Sequence, residues 1–273
     1  MEVVASQDPL GAEICGLDLG SGLSPEQLTA VEQAFVEYKV LFFRDQSMTA
    51  AGHQRFASWF GKLERHPAFP HVDGYPEVTV LESGRENRSK IERWHSDMTY
   101  LACPPLGSIL RARVVPESGG DTLWLDAEAA WQALPVALRE RLAPMQAEHS
   151  FAHGYRESLA EPGGRRRLAA AVAANPPLSH PVMRTHPASG RPSLFVNSLF
   201  TTRLLGLEEA ESRDLLGRLF EHLENPDFQC RFVWEVNSVA FWDNRCTQHR
   251  PDKDWWPAPR RHERTTIEGD RPR

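Results

Sequence analysis

The chain has 273 residues, of which 41% are hydrophobic, and a formal net charge of −6 with a sequence pI of about 6.0. This acidic balance excludes a general nucleic-acid-binding protein, which would carry a basic surface. The length and the apolar content suit one large globular domain with a substantial core, and we expect it to span residues 1–273.

The N-terminal and cysteine patterns predict a cytoplasmic protein. The first residues lack the basic segment and long apolar stretch that mark a signal peptide. No apolar run reaches the roughly 18 residues that a membrane span needs, so we expect no membrane association. Because the cysteines form no C-x-x-C pair, they predict reduced thiols rather than a disulfide or zinc framework. They are Cys15, Cys103, Cys230 and Cys246.

The N-terminal part of the chain predicts two helices around one strand. Ser24 followed by Pro25 and Gln27 has the pattern of a capping box, with proline at the first helical position. The apolar run 40–43 predicts a buried strand. A second helix is predicted to begin near Thr49 and to end at Gly61.

The rest of the chain predicts many short strands, because short apolar runs are separated by Pro, Gly, Asn and Asp. The runs are 78–81, 108–115, 194–196 and 239–242, with a hairpin connection at 185–191. Helical periodicity interrupts them at 127–142 and 208–223. Strands and helices do not alternate regularly, so the pattern favours a mainly β fold, a sandwich or jelly roll with helical insertions.

The segment 161–167 is polar and basic, with two glycines and three arginines. Its composition predicts a solvated surface loop. A mobile lid beside a functional site is the alternative interpretation.

The strongest local motif is His95-Ser96-Asp97, which lies between Trp94 and Met98. Side chains two apart on a strand point to the same face, so His95 and Asp97 are able to face one metal ion. An imidazole and a carboxylate are two of the three ligands of a 2-His-1-carboxylate iron site.

This spacing is weak evidence on its own, because the chain contains two similar pairs. His71 and Asp73 have the same spacing in a turn-like loop, and His222 with Glu224 lies at the end of a predicted helix. His249 follows an Asp-Asn turn after the strand 239–242 and is the candidate third ligand. Taken alone, it is more typical of a polar surface histidine.

Two arginines near the C-terminus indicate an anion site. Arg260 and Arg264 are an even number of residues apart, so on a strand they share one face. Guanidinium groups directed into a pocket favour carboxylate or sulfonate ligands. An exposed, arginine-rich strand is the alternative.

Taken together and in order, these motifs resemble the taurine dioxygenase (TauD/TfdA) family, which includes aryloxyalkanoate dioxygenases and alkylsulfatases. The similarity extends over nearly the whole chain. The motifs are WHSD at 94–97, GGDTLW at 119–124, WDNR at 242–245 with His249, and Arg260 and Arg264 before the GD at 269–270. The resemblance implies a double-stranded β-helix, a cupin-like jelly roll with helical insertions.

The resemblance also implies the cofactors and their ligands. His95, Asp97 and His249 would bind Fe(II). Thr122 and Arg260 would hold the distal carboxylate of 2-oxoglutarate, which is a co-substrate together with O2. The enzyme would be a 2-oxoglutarate-dependent non-haem iron dioxygenase.

For the prime substrate, the resemblance places Arg264 and His66 at the anionic group and Phe69, Ile91 and Phe151 in the pocket. Taurine dioxygenase has a tyrosine in place of Phe69 and an asparagine in place of Ile91. Because apolar residues offer no hydrogen bond to an ammonium group, we expect a substrate with a less polar tail than taurine.

The expected reaction hydroxylates a small anionic organic substrate, such as a sulfonate, and forms succinate and CO2. A hydroxylated sulfonate would break down to an aldehyde and sulfite. The alternatives are an alkyl sulfate, an aryloxyalkanoate or a biosynthetic carboxylate as substrate. A zinc hydrolase and a non-catalytic metal-binding jelly-roll protein are remoter alternatives. The family resemblance also predicts a homodimer or homotetramer.

Overall fold

The first helices begin where their capping residues predict, although the second ends at Ser58, before the predicted stop at Gly61. In a computed structural model of the protein, helix α1 (Pro25–Tyr38) follows Ser24, whose side chain accepts a hydrogen bond from the backbone N–H of Gln27. The Gln27 side chain accepts one in return from the Ser24 N–H, at 2.8 Å. Helix α2 (Ala50–Ser58) is capped by the Thr49 side chain. The predicted capping box is therefore confirmed.

The structure describes residues 1–66, 69–88, 90–252 and 254–273. Its remaining helices are α3 (Ala127–Ala133), α4 (Val136–Leu142), α5 (Phe151–Gly154), α6 (Arg156–Ala160), α7 (Gly164–Ala174), α8 (Glu209–Leu223) and a 3-10 turn at Pro226–Phe228. Its strands are β1 (Glu2–Ala5), β2 (Ala12–Cys15), β3 (Val40–Phe43), β4 (Leu63–Glu64), β5 (His71–Val72), β6 (Tyr75–Ser83), β7 (Gly107–Val114), β8 (Thr122–Asp126), β9 (Gln146–His149), β10 (Leu178–Pro181), β11 (Met183–Thr185), β12 (Pro192–Leu194), β13 (Thr201–Leu204), β14 (Gln229–Phe232), β15 (Val239–Asp243), β16 (Thr247–Pro251) and β17 (Arg260–Ile267).

The strands form a large sheet and a small sheet that enclose the functional residues. The large sheet has the order β1-β2-β3-β15-β7-β17-β6-β5, and β4 pairs with β17. The small sheet has the order β14-β8-β16. Two further small sheets, β10-β9-β13 and β11-β12, belong to the insertions. The chain is thus mainly β with helices, as predicted.

The alternation of side chains along β15 explains how the large sheet covers two cores. Trp242 faces the small sheet, with its ring centroid 5.8 Å from that of Trp124 on β8. The next side chain, Phe241, faces the opposite side and stacks on Phe35 of α1 at 4.0 Å. Successive strand side chains point to opposite faces, so one apolar strand contributes to both layers.

Two predictions, one of a helix and one of a loop, are wrong. The helix expected over 127–142 is two helices, because Leu134 adopts an extended conformation before Pro135. A proline disfavours the helical conformation of the residue before it, and it lacks the N–H that a continuous helix would use. The segment 161–167 is not a loop throughout, since its arginines form the first turn of α7 after a left-handed Gly163.

The shorter connections agree in part with the predictions. The hairpin expected at 185–191 is confirmed, because it joins the paired strands β11 and β12. The strand expected over 194–196 ends at Leu194. His71 lies in the short strand β5, and only Asp73 and Gly74 form a turn. Within the described ranges, no helix is long and apolar enough to cross a membrane.

Candidate active site

The three predicted metal ligands meet between the large and small sheets. His95 forms an isolated antiparallel bridge with His249 of β16, through backbone hydrogen bonds of 3.1 and 2.8 Å. His95 Nε2 lies 3.8 Å from Asp97 Oδ1, and one ligand atom from each of the three residues lies within 4.8 Å of the others. The predicted strand through 95–97 is absent, because a turn begins at Asp97.

That turn is fixed by two hydrogen bonds to a single side chain, Asn244. Asp97 N–H donates to Asn244 Oδ1 at 2.6 Å, and Asn244 Nδ2 donates to the Asp97 carbonyl at 3.0 Å. The next residue, Met98, has a φ of 51°, which few side chains adopt without such support. The Asp-Asn turn predicted after β15 therefore positions the carboxylate as well as His249.

The hydrogen bonds of the triad leave it suited to a metal ion. His95 Nδ1 lies 2.8 Å from the Arg93 carbonyl, which only accepts, so Nδ1 carries the proton and Nε2 keeps its lone pair. Asp97 Oδ2 accepts from Ser108 Oγ, and Oδ1 accepts from Arg264 Nη1, both at 2.9 Å. Such contacts around a ligand fix its orientation.

The charges of these groups also fit Fe(II). Burial lowers the pKa of His95 and holds the pKa of His249 well below its ordinary value, so both imidazoles are neutral. Burial alone would raise the pKa of Asp97, but the positive charge of Arg264, helped by the hydrogen bond from Ser108, outweighs it and lowers that pKa. Two neutral imidazoles and one carboxylate are the donor set of a non-haem iron site with open positions.

A cavity of about 650 Å³ opens onto the triad. It is lined by His95, Asp97 and His249 and by six other predicted residues: His66, Phe69, Ile91, Thr122, Arg260 and Arg264. The structure therefore brings together every predicted site residue except one. Phe151 is fully buried and does not line the cavity.

One side of the cavity has the groups expected to hold a carboxylate. Arg260 Nη2 donates to Thr122 Oγ1 at 3.3 Å, and its guanidinium lies 5.1 Å from the centre of the Trp255 ring. Burial lowers the pKa of Arg260 to about 10, although Asp121 opposes the change. Arg260 Nε is buried without a hydrogen-bond partner among the described residues, so this donor is available to an anion.

On the other side, polar and apolar groups are mixed. His66 is buried, and its ring centroid lies 4.6 Å from that of Phe69. Burial, with a smaller effect of Arg264, lowers the pKa of His66 to about 3, so its imidazole is neutral. Ile91 is half-buried and lines the same side.

Sequence reasoning missed Tyr155, which lines the cavity where Phe151 was expected. The two rings stack at 4.4 Å, with Phe151 on the side away from the cavity. Residues four apart lie on the same side of a helical turn, so the spacing indicates that they touch but not which faces the cavity. Phe200, at the end of the segment 195–200 that the family resemblance implies as pocket wall, also lines it, as does Trp242 of the WDNR motif.

The comparison with known families agrees with this geometry. The family model for the taurine catabolism dioxygenase TauD, TfdA family matches residues 2–266. The chain belongs to the TauD/TfdA family. The predicted family resemblance is therefore confirmed.

Relatives of this TauD/TfdA protein match over most of their own length. It is 35% identical to an alkylsulfatase of Acinetobacter baylyi over 265 residues, which are 96% of this chain and 83% of that one. It is 35% identical to an alpha-ketoglutarate-dependent sulfate ester dioxygenase of Pseudomonas putida, and the match covers 96% of this chain and 88% of that one. A crystal structure of a taurine dioxygenase from Burkholderia xenovorans matches with a TM-score of 0.85 and 33% identity. The match covers 99% of this chain and 92% of that one. This structural similarity confirms the predicted jelly-roll fold.

Proposed function

We propose that this TauD/TfdA-family protein is an Fe(II)- and 2-oxoglutarate-dependent dioxygenase that hydroxylates a small anionic organic substrate. The observation that carries the proposal is the shared cavity. A 2-His-1-carboxylate triad, the Thr122–Arg260 pair and Arg264 all line one space of about 650 Å³. An iron site with open positions and two separate cationic groups is the set that such a reaction requires.

In this proposal His95, Asp97 and His249 hold the metal, and Thr122 with Arg260 holds the far carboxylate of 2-oxoglutarate. Fe(II), when bound, supplies the activation of O2 that is coupled to oxidative decarboxylation of the co-substrate. The protein contributes position and charge. Arg260 fixes the co-substrate by its guanidinium, which pairs with a carboxylate in a fixed geometry.

Arg264 connects the metal ligands with the substrate. Nη1 donates to Asp97 at 2.9 Å, while Nε is buried without a partner in the described part of the chain. An anionic head group bound by the remaining donors would be held at a fixed distance from the iron ligands. Arg264 would thereby determine which substrate carbon is oxidised.

The overall reaction balances with one O2 for each substrate. One oxygen atom enters succinate, the other becomes the hydroxyl group on the substrate carbon, and CO2 is released. When that carbon carries a sulfonate, its product collapses to an aldehyde and sulfite. When it carries a sulfate ester oxygen, the products are an aldehyde and sulfate. The alkyl sulfate is our second candidate, and the names of the two relatives above support it.

A panel of anions tests the function. Purified protein with Fe(II), 2-oxoglutarate and O2 should form succinate faster when an alkyl sulfonate, alkyl sulfate or aryloxyacetate is added. Omission of Fe(II) or O2 should abolish succinate formation. Release of sulfate or sulfite without O2 would instead support a zinc hydrolase, and absence of stimulated succinate formation with the whole panel would support a non-catalytic protein.

We also propose that the protein is a cytoplasmic homodimer or homotetramer. All four cysteines are free thiols, which suits a reducing compartment. Light scattering coupled to size exclusion should give a mass of two or four chains of 30.9 kDa. A monomer at micromolar concentration would contradict the proposed assembly.

A further inference from the structure

Tyr155 has a polar group at the substrate end of the cavity that the proposed reaction does not yet use. Its hydroxyl lies 3.4 Å from His66 Nε2, and both residues line the cavity. This distance is long for an O–H···N hydrogen bond, which is normally below about 3.0 Å. The contact is therefore weak enough to be exchanged for stronger bonds to a charged ligand.

The position of Tyr155 is fixed by its neighbours. Its backbone N–H donates to the Phe151 carbonyl at 3.0 Å, and its ring stacks on the Phe151 ring at 4.4 Å with an interplanar angle of 24°. Phe151 in turn makes an edge contact with Tyr100 at 5.0 Å. Because Phe151 packs against one face of the Tyr155 ring, the Tyr155 hydroxyl has a defined position in the cavity. Little side-chain conformational entropy is then lost when a ligand binds.

Three different side chains therefore offer hydrogen-bond donors to the same end of the cavity. Arg264 contributes N–H groups that are not used by Asp97, among them the buried Nε. His66 is a neutral imidazole, since burial lowers its pKa to about 3, so it contributes a hydrogen bond rather than a second charge. Tyr155 contributes a hydroxyl group.

We propose that Tyr155 determines substrate specificity by completing, with Arg264 and His66, a three-donor site for a sulfur oxoanion with three terminal oxygens. A sulfonate and a sulfate ester share this head group. The inference rests on the proposed function and specifies the class of substrate. It selects these anions over a carboxylate that carries the same tail.

The number of oxygens is the basis of the selection. A sulfur oxoanion presents three oxygens in different directions, and each is able to accept from a separate side chain. A carboxylate has two oxygens whose lone pairs lie in one plane, so a donor that approaches from outside that plane gains only a poorly aligned hydrogen bond. An unsatisfied buried donor disfavours binding.

The remainder of the cavity fits an apolar tail on that head group. Phe69, Ile91, Leu168 and Phe200 also line it. These side chains exclude water without offering hydrogen bonds, so they favour an alkyl chain over an ammonium or hydroxyl group. The probes that follow are therefore hexyl sulfate, hexanesulfonate and heptanoate, which differ mainly in their head groups.

The test compares wild-type protein with Tyr155→Phe, which removes the hydroxyl and keeps the ring. In the wild type, kcat/KM for hexyl sulfate or hexanesulfonate should exceed that for heptanoate by at least tenfold. Tyr155→Phe should raise KM for the preferred sulfur anion about tenfold with kcat nearly unchanged, because one hydrogen bond to a charged group is lost. KM for heptanoate and for 2-oxoglutarate should change less than twofold. Release of sulfate or sulfite identifies which sulfur anion is used.

Tyr38→Phe is the control, because it removes a tyrosine hydroxyl of helix α1, which packs against a different apolar cluster and does not line the cavity. It should leave all three KM values unchanged. Binding of each anion to the anaerobic Fe(II)–2-oxoglutarate protein should show the same pattern without turnover.

Two outcomes would overturn the inference while the proposed function stands. One is succinate formation with heptanoate that is as efficient as with the sulfur anions, which needs only the wild type. The other is a Tyr155→Phe variant whose KM values are unchanged or are raised equally for all three probes. Failure of the proposed function looks different, because no anion would then stimulate succinate formation.

Discussion

The two ends of the cavity are built from different kinds of structure. At the metal end, His249, Thr122 and Arg260 come from strands of the two sheets, β16, β8 and β17. At the substrate end, Ile91 lies in the long connection between β6 and β7, and Tyr155 lies between the short helices α5 and α6. His95 and Asp97 lie in the same connection as Ile91, but His95 pairs with β16 through its backbone and Asp97 is held by Asn244. The metal end is therefore tied to paired strands, whereas the substrate end, apart from Arg264 on β17, is built from segments between strands.

The hydrogen bonding of the two ends differs in the same way. Asp97 accepts from two side chains, and its backbone exchanges two further hydrogen bonds with Asn244. At the substrate end, the Tyr155 hydroxyl and His66 Nε2 are separated by 3.4 Å, and Ile91 packs against the apolar cluster that includes Tyr155. Substitutions at the metal end should therefore abolish the reaction, whereas those at the substrate end should change its selectivity.

The largest effect is expected for His249→Ala. Loss of one neutral imidazole removes a metal ligand, so iron-dependent succinate formation should fall by about three orders of magnitude or more. The control is His71→Ala, a histidine of the similar His-x-Asp pair that does not line the cavity. Retained activity in the first variant, or lost activity in the second, would show that the metal end has been misplaced.

Arg260→Ala should have the next largest effect, on the co-substrate alone. Removing the guanidinium that contacts Thr122 should raise KM for 2-oxoglutarate about 30-fold to 100-fold, since a charge-assisted pair is lost. KM for the prime substrate should change little. Arg261→Ala, on the neighbouring position of β17, is the control, because Arg261 does not line the cavity. Equal effects on both substrates would mean that the two anion sites are not separate.

Ile91→Asn tests the apolar part of the substrate end and should have a smaller effect. An amide at this position offers a hydrogen bond to a polar tail, so the ratio of kcat/KM for hexanesulfonate to that for taurine should fall about fivefold to tenfold. Succinate formation without prime substrate should not change. If taurine is already the best substrate of the wild-type protein, the apolar interpretation of Ile91 and Phe69 is wrong.

The smallest effect is expected for Glu64→Gln, in the strand that leads to His66. Burial, reinforced by Glu268 and Asp97, raises the pKa of Glu64 to about 7. The folded state then binds a proton that the unfolded state has lost, so this contribution to stability is present below about pH 4.3 and is lost as the pH rises through 7. The wild type should therefore lose more thermal stability between pH 5 and pH 8 than Glu64→Gln. Equal losses would contradict the raised pKa.

Local sequence patterns predicted several helices and strands of the fold well. Ser24 and Gln27 have a capping pattern that depends on neighbours in the chain, and the run 239–242 is apolar because both faces of β15 are buried. The metal triad, by contrast, could be predicted only when several motifs were considered together in their order along the chain. His95 and Asp97 are brought together by a turn that Asn244 holds from 147 residues away, and no local pattern contains that contact.

The substrate end was less predictable, because packing between distant segments decides which of its side chains face the cavity. Phe151 and Tyr155 are both aromatic and touch each other, and only the surrounding cluster with Tyr100 decides which faces the cavity. The break at Pro135 was visible in the sequence, but the apolar periodicity on both sides favoured one helix. Such periodicity indicates which face is buried without showing where the chain bends.

The stoichiometry of the reaction is the most direct test of the proposed dioxygenase activity. With the preferred sulfur anion, we expect each O2 and each 2-oxoglutarate consumed to give one succinate and one sulfate or sulfite in the wild-type protein. The Tyr155→Phe variant should keep this ratio at saturating substrate. Release of sulfate or sulfite without consumption of O2 and 2-oxoglutarate would contradict a dioxygenase.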